Sequence, residues 1–209
     1  MKSLIFSRLL EHFQLTFIAI AIGLLISLPL SVYAYRHRWS YGPISGVAGI
    51  LYTIPSLALF SFLIPFTGLS VTSAEIGLVS YTLLILIRNV VGGLNSVPAD
   101  AREAARGMGY SDTQMLFRVE FPIALPVILA GIRLATVTII GLVTVTALIG
   151  YGGLGHFILL GFRQFDTTLS FIGGMLSLLL AVGIDALLVG LERVATPWTR
   201  RRSVKAMAT

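Results

Sequence analysis

Apolar and polar positions divide the chain into five long hydrophobic runs, roughly 14–35, 44–66, 75–97, 123–149 and 169–191, separated by short polar intervals. A helix needs about 20 apolar residues to cross the hydrocarbon core. Each run therefore reads as a transmembrane helix, and the chain as an all-α membrane protein of about five spans. Residues 1–13 are mildly amphipathic and read as an N-terminal interfacial segment. The first run imitates a signal peptide, with Lys2 and Arg8 ahead of it and Val32-Tyr33-Ala34 near its end. Its apolar stretch is too long for one, and Arg36-His37-Arg38 follows it as a stop-transfer signal would. Pro55, in Thr53-Ile54-Pro55-Ser56, falls inside the second run and is expected to bend it.

Composition agrees with that pattern and narrows the function. Only 11% of residues are charged and 56% are hydrophobic, against about 25% charge in soluble domains. There is no cysteine, which removes disulfides, thiol nucleophiles and thiolate metal sites. The net charge of +6 does not require nucleic acid, because membrane proteins concentrate Lys and Arg on their cytoplasmic side. With the 98–122 loop placed inside, the inner segments hold ten basic residues: Arg36, Arg38, Arg102, Arg106, Arg118, Arg193, Arg200, Arg201, Arg202 and Lys205. The outer segments hold three, Lys2, Arg8 and Arg163. This bias predicts a multi-pass protein with its N-terminus outside, its C-terminus in the cytoplasm and a basic cytoplasmic tail over 196–209. Tyr33, Tyr35, Trp39, Tyr41 and Trp198 read as an interfacial aromatic belt.

Polar groups within spans are candidates for function. Arg88, Arg133 and Asp185 fall at a similar depth, so Asp185 is a candidate partner of one arginine. Thr53, Pro55, Ser56, Asn89 and Thr138 are candidates for lining a mildly polar pathway. Gly173, Ser177, Ala181 and Asp185 recur every four residues, a face suited to close helix packing. Gly150-Tyr151-Gly152-Gly153-Leu154-Gly155 reads as a tight break after the fourth run, near an outer gate. His12, His37 and His156 lack metal-ligand spacing. Lys2 and Lys205 are the only lysines, and neither follows a glycine-rich loop, so a phosphate-binding loop of the Walker type is excluded.

The polar interval 98–122 carries the most specific motif. It reads Glu103-Ala104-Ala105, three residues, Gly109, nine residues, then Val119-Glu120-Phe121-Pro122. This resembles the Glu-Ala-Ala loop of permease subunits of ATP-binding-cassette (ABC) importers, with Val119 and Phe121 in place of Ile and Leu. Thr53-Ile54-Pro55-Ser56-Leu57-Ala58-Leu59, Arg88-Asn89, the run Leu125 to Arg133, and Ala147 to Gly150 with Gly152-Gly153-Leu154-Gly155 resemble the osmoprotectant branch of that family. Val90-Val91-Gly92-Gly93 and Tyr151 depart from it.

The resemblance implies a MetI-like type I importer transmembrane domain over 14–195, with cytoplasmic coupling helices in the 98–122 loop. It implies no enzyme activity and no cofactor on this chain, with ATP and Mg on a separate ATPase. The partners it implies are a second permease subunit (identical or paralogous), two ATPase subunits and an extracytoplasmic binding protein, in the cell membrane. Glu103, Ala104, Ala105, Gly109 and Pro122 would then carry ATPase coupling. The solute would be a small osmoprotectant such as glycine betaine, choline or carnitine. The alternatives are an amino acid or other small polar solute or, in another class, a secondary carrier without an ATPase; neither internal repeats nor a proton-relay chain favours the carrier.

Overall fold

Prolines, glycines and capping side chains set where the helices stop. The computed structural model describes residues 2–199, all of whose regular elements are helical. They are α1 (Lys2–Arg36), α2 (Arg38–Thr53), α3 (Ser56–Thr67), α4 (Val71–Asn95), α5 (Ala99–Gly107), α6 (Asp112–Met115), α7 (Phe121–Val145), α8 (Gly155–Gln164) and α9 (Thr167–Ala195). A π-helical turn, Leu116–Glu120, makes α6 continuous with α7. Ile54, forced into extended backbone (ψ 127°) by the following proline, ends α2. α3 then leaves at 95° to α2. The Ile54 carbonyl freed by the break accepts a hydrogen bond from the Tyr81 hydroxyl. Ser70 caps α4 by accepting from the Ser73 amide at 3.2 Å, and Asp166 caps α9 through Leu169 at 3.1 Å.

Among the described residues, four stretches are long and apolar enough to cross a membrane: Lys2–Arg36, Val71–Asn95, Asp112–Ile149 and Thr167–Ala195. The bent pair α2–α3 supplies a fifth if counted as one span. The second hydrophobic run is thus a broken helix rather than a straight one. Residues 2–13 are continuous with the first span in one helix. Of the 196–209 tail, residues 200–209, with Arg200, Arg201, Arg202 and Lys205, lie outside the described residues.

α4 is the centre of the bundle, flanked by α1, α2, α3 and α7. It has buried positions around most of its circumference, as expected of a helix that is apolar on all sides. α1 approaches it along a small-residue face, Ala19, Gly23, Ser27, Ser31 and Ala34, all buried. A Cβ on Gly23 would collide with the Thr82 side chain, so the close approach requires glycine there. α9 packs on α7 and α8. Gly173 meets Ile158 and Phe157 of α8, while most of the α9 surface stays exposed. α8 has no counterpart in the hydrophobic pattern, being only ten residues long.

Candidate functional site: the 98–122 hairpin and its anchorage

α5 and α6 form a short hairpin at one end of the bundle. α5 ends in a Schellman motif: Tyr110 N–H donates to the Ala105 carbonyl at 3.1 Å and Gly109 N–H to Arg106 at 2.9 Å. Gly109 sits at φ +79°, a left-handed conformation that residues with a Cβ rarely adopt. α6 starts in a capping box, with the Ser111 hydroxyl accepting from Gln114 N at 3.3 Å and Gln114 Oε1 from Ser111 N at 2.9 Å. Glu103, Ala104 and Gly109 are exposed, Ala105 is buried and Pro122 is half-buried at the start of α7. The hairpin therefore leaves Glu103 and Ala104 on its surface and turns Ala105 inward.

The hairpin is tied down by a buried carboxylate. Glu120 is 3% exposed. Its Oε1 accepts from the Tyr35 hydroxyl at 2.6 Å and lies 3.2 Å from Arg102 Nε. Arg102 also donates through Nη2 to the Leu94 carbonyl at 3.0 Å, in the last turn of α4, and its guanidinium lies 5.9 Å from the Tyr35 ring centroid. Glu120 thus joins the end of α1 and the first turn of α5 to the π turn before α7, and Arg102 extends the junction to the end of α4. Charge-assisted hydrogen bonds of this kind are the stronger ones. Beside it a cavity of about 470 Å³ is lined mainly by Arg36, His37, Arg38, Arg106 and Asp112.

The opposite end of α1 is fastened too. Glu11 Oε1 accepts from Gly153 N–H at 3.3 Å and His12 Nδ1 from Leu154 N–H at 3.3 Å. His12 Nε2 is 3.1 Å from the Ile140 carbonyl, to which it donates. The two contacts fit one neutral tautomer. Gly153 has φ +50°, and a Cβ there would lie 2.7 Å from His12 Cα. The glycine-rich break is therefore moulded onto the first turns of α1.

Within the bundle, Arg133 pairs with Asp185 through Nε at 3.0 Å and Nη2 at 3.2 Å, and with Glu192 through Nη1 at 2.9 Å. This joins α7 to the later half of α9. Arg88 is exposed and makes no ion pair among the described residues. The pathway candidates are not gathered into one polar lining. Thr53, Asn89 and Thr138 bond back to the carbonyls of Ile50, Ile85 and Leu134 on their own helices, and Pro55 is exposed. Ser56 borders an apolar cavity of about 370 Å³ between α3, α7 and α8. Sequence reasoning missed Glu120, Tyr35 and His12 as structural anchors; their only local signal was a polar group beside or inside an apolar run.

Residues 13–195 match the family model described as binding-protein-dependent transport system inner membrane component. The chain is 41% identical over 192 residues to the osmoprotectant import permease protein OsmW of Salmonella typhimurium, covering 90% of this chain and 89% of that one. It is 34% identical to the glycine betaine/carnitine/choline transport system permease protein OpuCB of Bacillus subtilis, covering 90% and 86%. Among solved structures, the inward-facing MetNI methionine ABC transporter superposes with a TM-score of 0.84 at 25% identity, covering 92% of this chain and 96% of that one.

Proposed function

This chain belongs to the family of binding-protein-dependent transport system inner membrane components and is a membrane-spanning permease of an ABC importer; we propose that its solute is a small osmoprotectant of the glycine betaine, choline or carnitine kind. The observation that carries the solute class is the 41% identity to an osmoprotectant import permease across nine-tenths of the chain. The 34% identity to a glycine betaine/carnitine/choline permease supports it. A methionine transporter shares the fold at lower identity, which makes an amino acid the competing solute.

The permease works with a second permease subunit, two ATPase subunits and an extracytoplasmic binding protein. ATP and Mg bind the ATPases, and this chain catalyses nothing. The 98–122 hairpin faces the cytoplasm and enters a groove on the ATPase, with Glu103 and Ala104 at the contact and Gly109 shaping the turn. The N-terminus lies outside and the C-terminus inside, as the basic-residue bias favours. The solute passes along surfaces completed by the second subunit; Thr53, Ser56, Asn89 and Thr138 remain candidates for contacting it, and Pro55 for bending the wall.

The test has two parts. The permease, purified from its own cells, is expected to bring an ATPase with it. The reconstituted assembly is expected to accumulate glycine betaine, choline or carnitine only with ATP and binding protein. Uptake of amino acids alone would replace the solute class, and ATP-independent uptake by the permease alone would replace the transporter class.

A further inference from the structure

α1 is fastened at both ends to elements far away in sequence. Near its start, Glu11 and His12 hold the Gly153–Leu154 backbone. Near its end, Tyr35 holds Glu120 in the hairpin's π turn. The 23 steps from His12 to Tyr35 correspond to about 34 Å of helix, comparable to the roughly 30 Å hydrocarbon thickness. Between the two fastenings α1 lies against α4 through its small-residue face, and the helix runs unbroken past Pro29. Such a helix cannot shorten, so a displacement imposed at one fastening is delivered at the other.

We propose that α1 is a strut linking the coupling hairpin to the glycine loop on the far side of the membrane, and that Tyr35, through its bond to Glu120, is the positioning residue that engages it. The inference rests on the reading of the 98–122 hairpin as the ATPase contact. Arg102 serves the same junction from the α4 side, binding both Glu120 and the Leu94 carbonyl. When the ATPases move the hairpin, α1, α4 and the π turn move as one body, and the Gly152–Gly155 backbone follows. Tyr35 touches neither ATPase nor solute in this scheme; it sets how much of the hairpin's motion reaches the outer loop.

The measured quantity is solute imported per ATP hydrolysed, in proteoliposomes holding the permease with its ATPase and binding protein. ATP-dependent uptake by the unaltered assembly establishes the underlying reading independently; its absence would remove that reading rather than the strut. Tyr35→Phe keeps the ring over Arg102 and deletes only the hydroxyl. It is expected to leave assembly and solute-independent ATP hydrolysis unchanged and to lower the import-to-hydrolysis ratio by at least about threefold. An unchanged ratio overturns the proposal. The chain has no cysteine, so Tyr35→Cys with Glu120→Cys can be joined by a short bifunctional thiol reagent. Cross-linking is expected to restore the ratio, because the junction stays closed throughout the cycle. A cross-link that blocks import, or leaves the ratio low, overturns the strut even if the phenylalanine variant fails to assemble.

Discussion

Arg133 holds Asp185, 52 positions away, through two parallel hydrogen bonds of 3.0 and 3.2 Å. Its remaining terminal nitrogen reaches Glu192 two turns further along α9. A forked arginine on two carboxylates pins the later half of α9, which has few other buried contacts, to α7. The side chains of Arg133 and Asp185 are 28% and 36% exposed, so the pair is weaker than a fully buried one.

Asp185→Asn or Arg133→Gln is expected to lower stability by about 1.5–3 kcal/mol, the range for hydrogen bonds to charged groups. In a double-mutant cycle read by thermal unfolding in detergent, Arg133 and Asp185 should couple. Arg88→Gln should add independently to Asp185→Asn, since Arg88 makes no ion pair among the described residues. Additivity in both cycles would remove the pair.

Gly109 has φ +79° with nothing within 4 Å of a built Cβ. Its substitution penalty is therefore conformational rather than steric, about 1–2 kcal/mol for an L-residue. Uptake should fall in the order Gly109→Asn, Gly109→Ala, Gly109→Val, with asparagine tolerated best and inserted protein levels unchanged. Equal activity across the series would mean that the turn shape does not matter to coupling.

Gly153 differs, because a side chain there meets His12 as well as a left-handed backbone. Gly153→Ala should destabilise by about 1–3 kcal/mol through overpacking alone and break the Leu154–His12 bond. Gly150→Ala has φ +96° but open space, so it should be the milder of the two. Midpoints of thermal unfolding compare them directly.

Topology is testable by thiol labelling. A cysteine at Leu69, 62% exposed, is expected to react with an impermeant reagent from outside intact cells, and one at Met108, 66% exposed in the hairpin, only after permeabilisation. Ser70 is avoided because its hydroxyl caps α4. The reverse pattern would invert the orientation.

The spans were legible because burial in a bilayer leaves a long uniform signal: the runs at 75–97, 123–149 and 169–191 overlap α4, α7 and α9. Pro55 announced its break, since a proline acts on the residue beside it. The Glu-Ala-Ala spacing placed the hairpin. What stayed hidden depended on partners distant in sequence. His12 looked like an isolated polar residue because its partners are Ile140 and Leu154. Tyr35 read as one of a belt of interfacial aromatics, and only the fold brings Glu120 to its hydroxyl. Asp185 had two arginines at its depth, and choosing between them required knowing which helix faces α9.

The π turn at Leu116–Glu120 has a geometric consequence of its own. It houses one surplus residue in a locally widened turn, where i→i+5 bonding advances each residue by less than the roughly 100° of an α-helix. The helix on either side therefore keeps its phase, and the surplus is absorbed without turning the hairpin away from its facing on α7. Excising one residue from 116–119 would let the helix wind regularly with the face carrying Glu103 nearly unmoved. The same excision from the regular part of α7 would swing that face by about 100° relative to the transmembrane bundle.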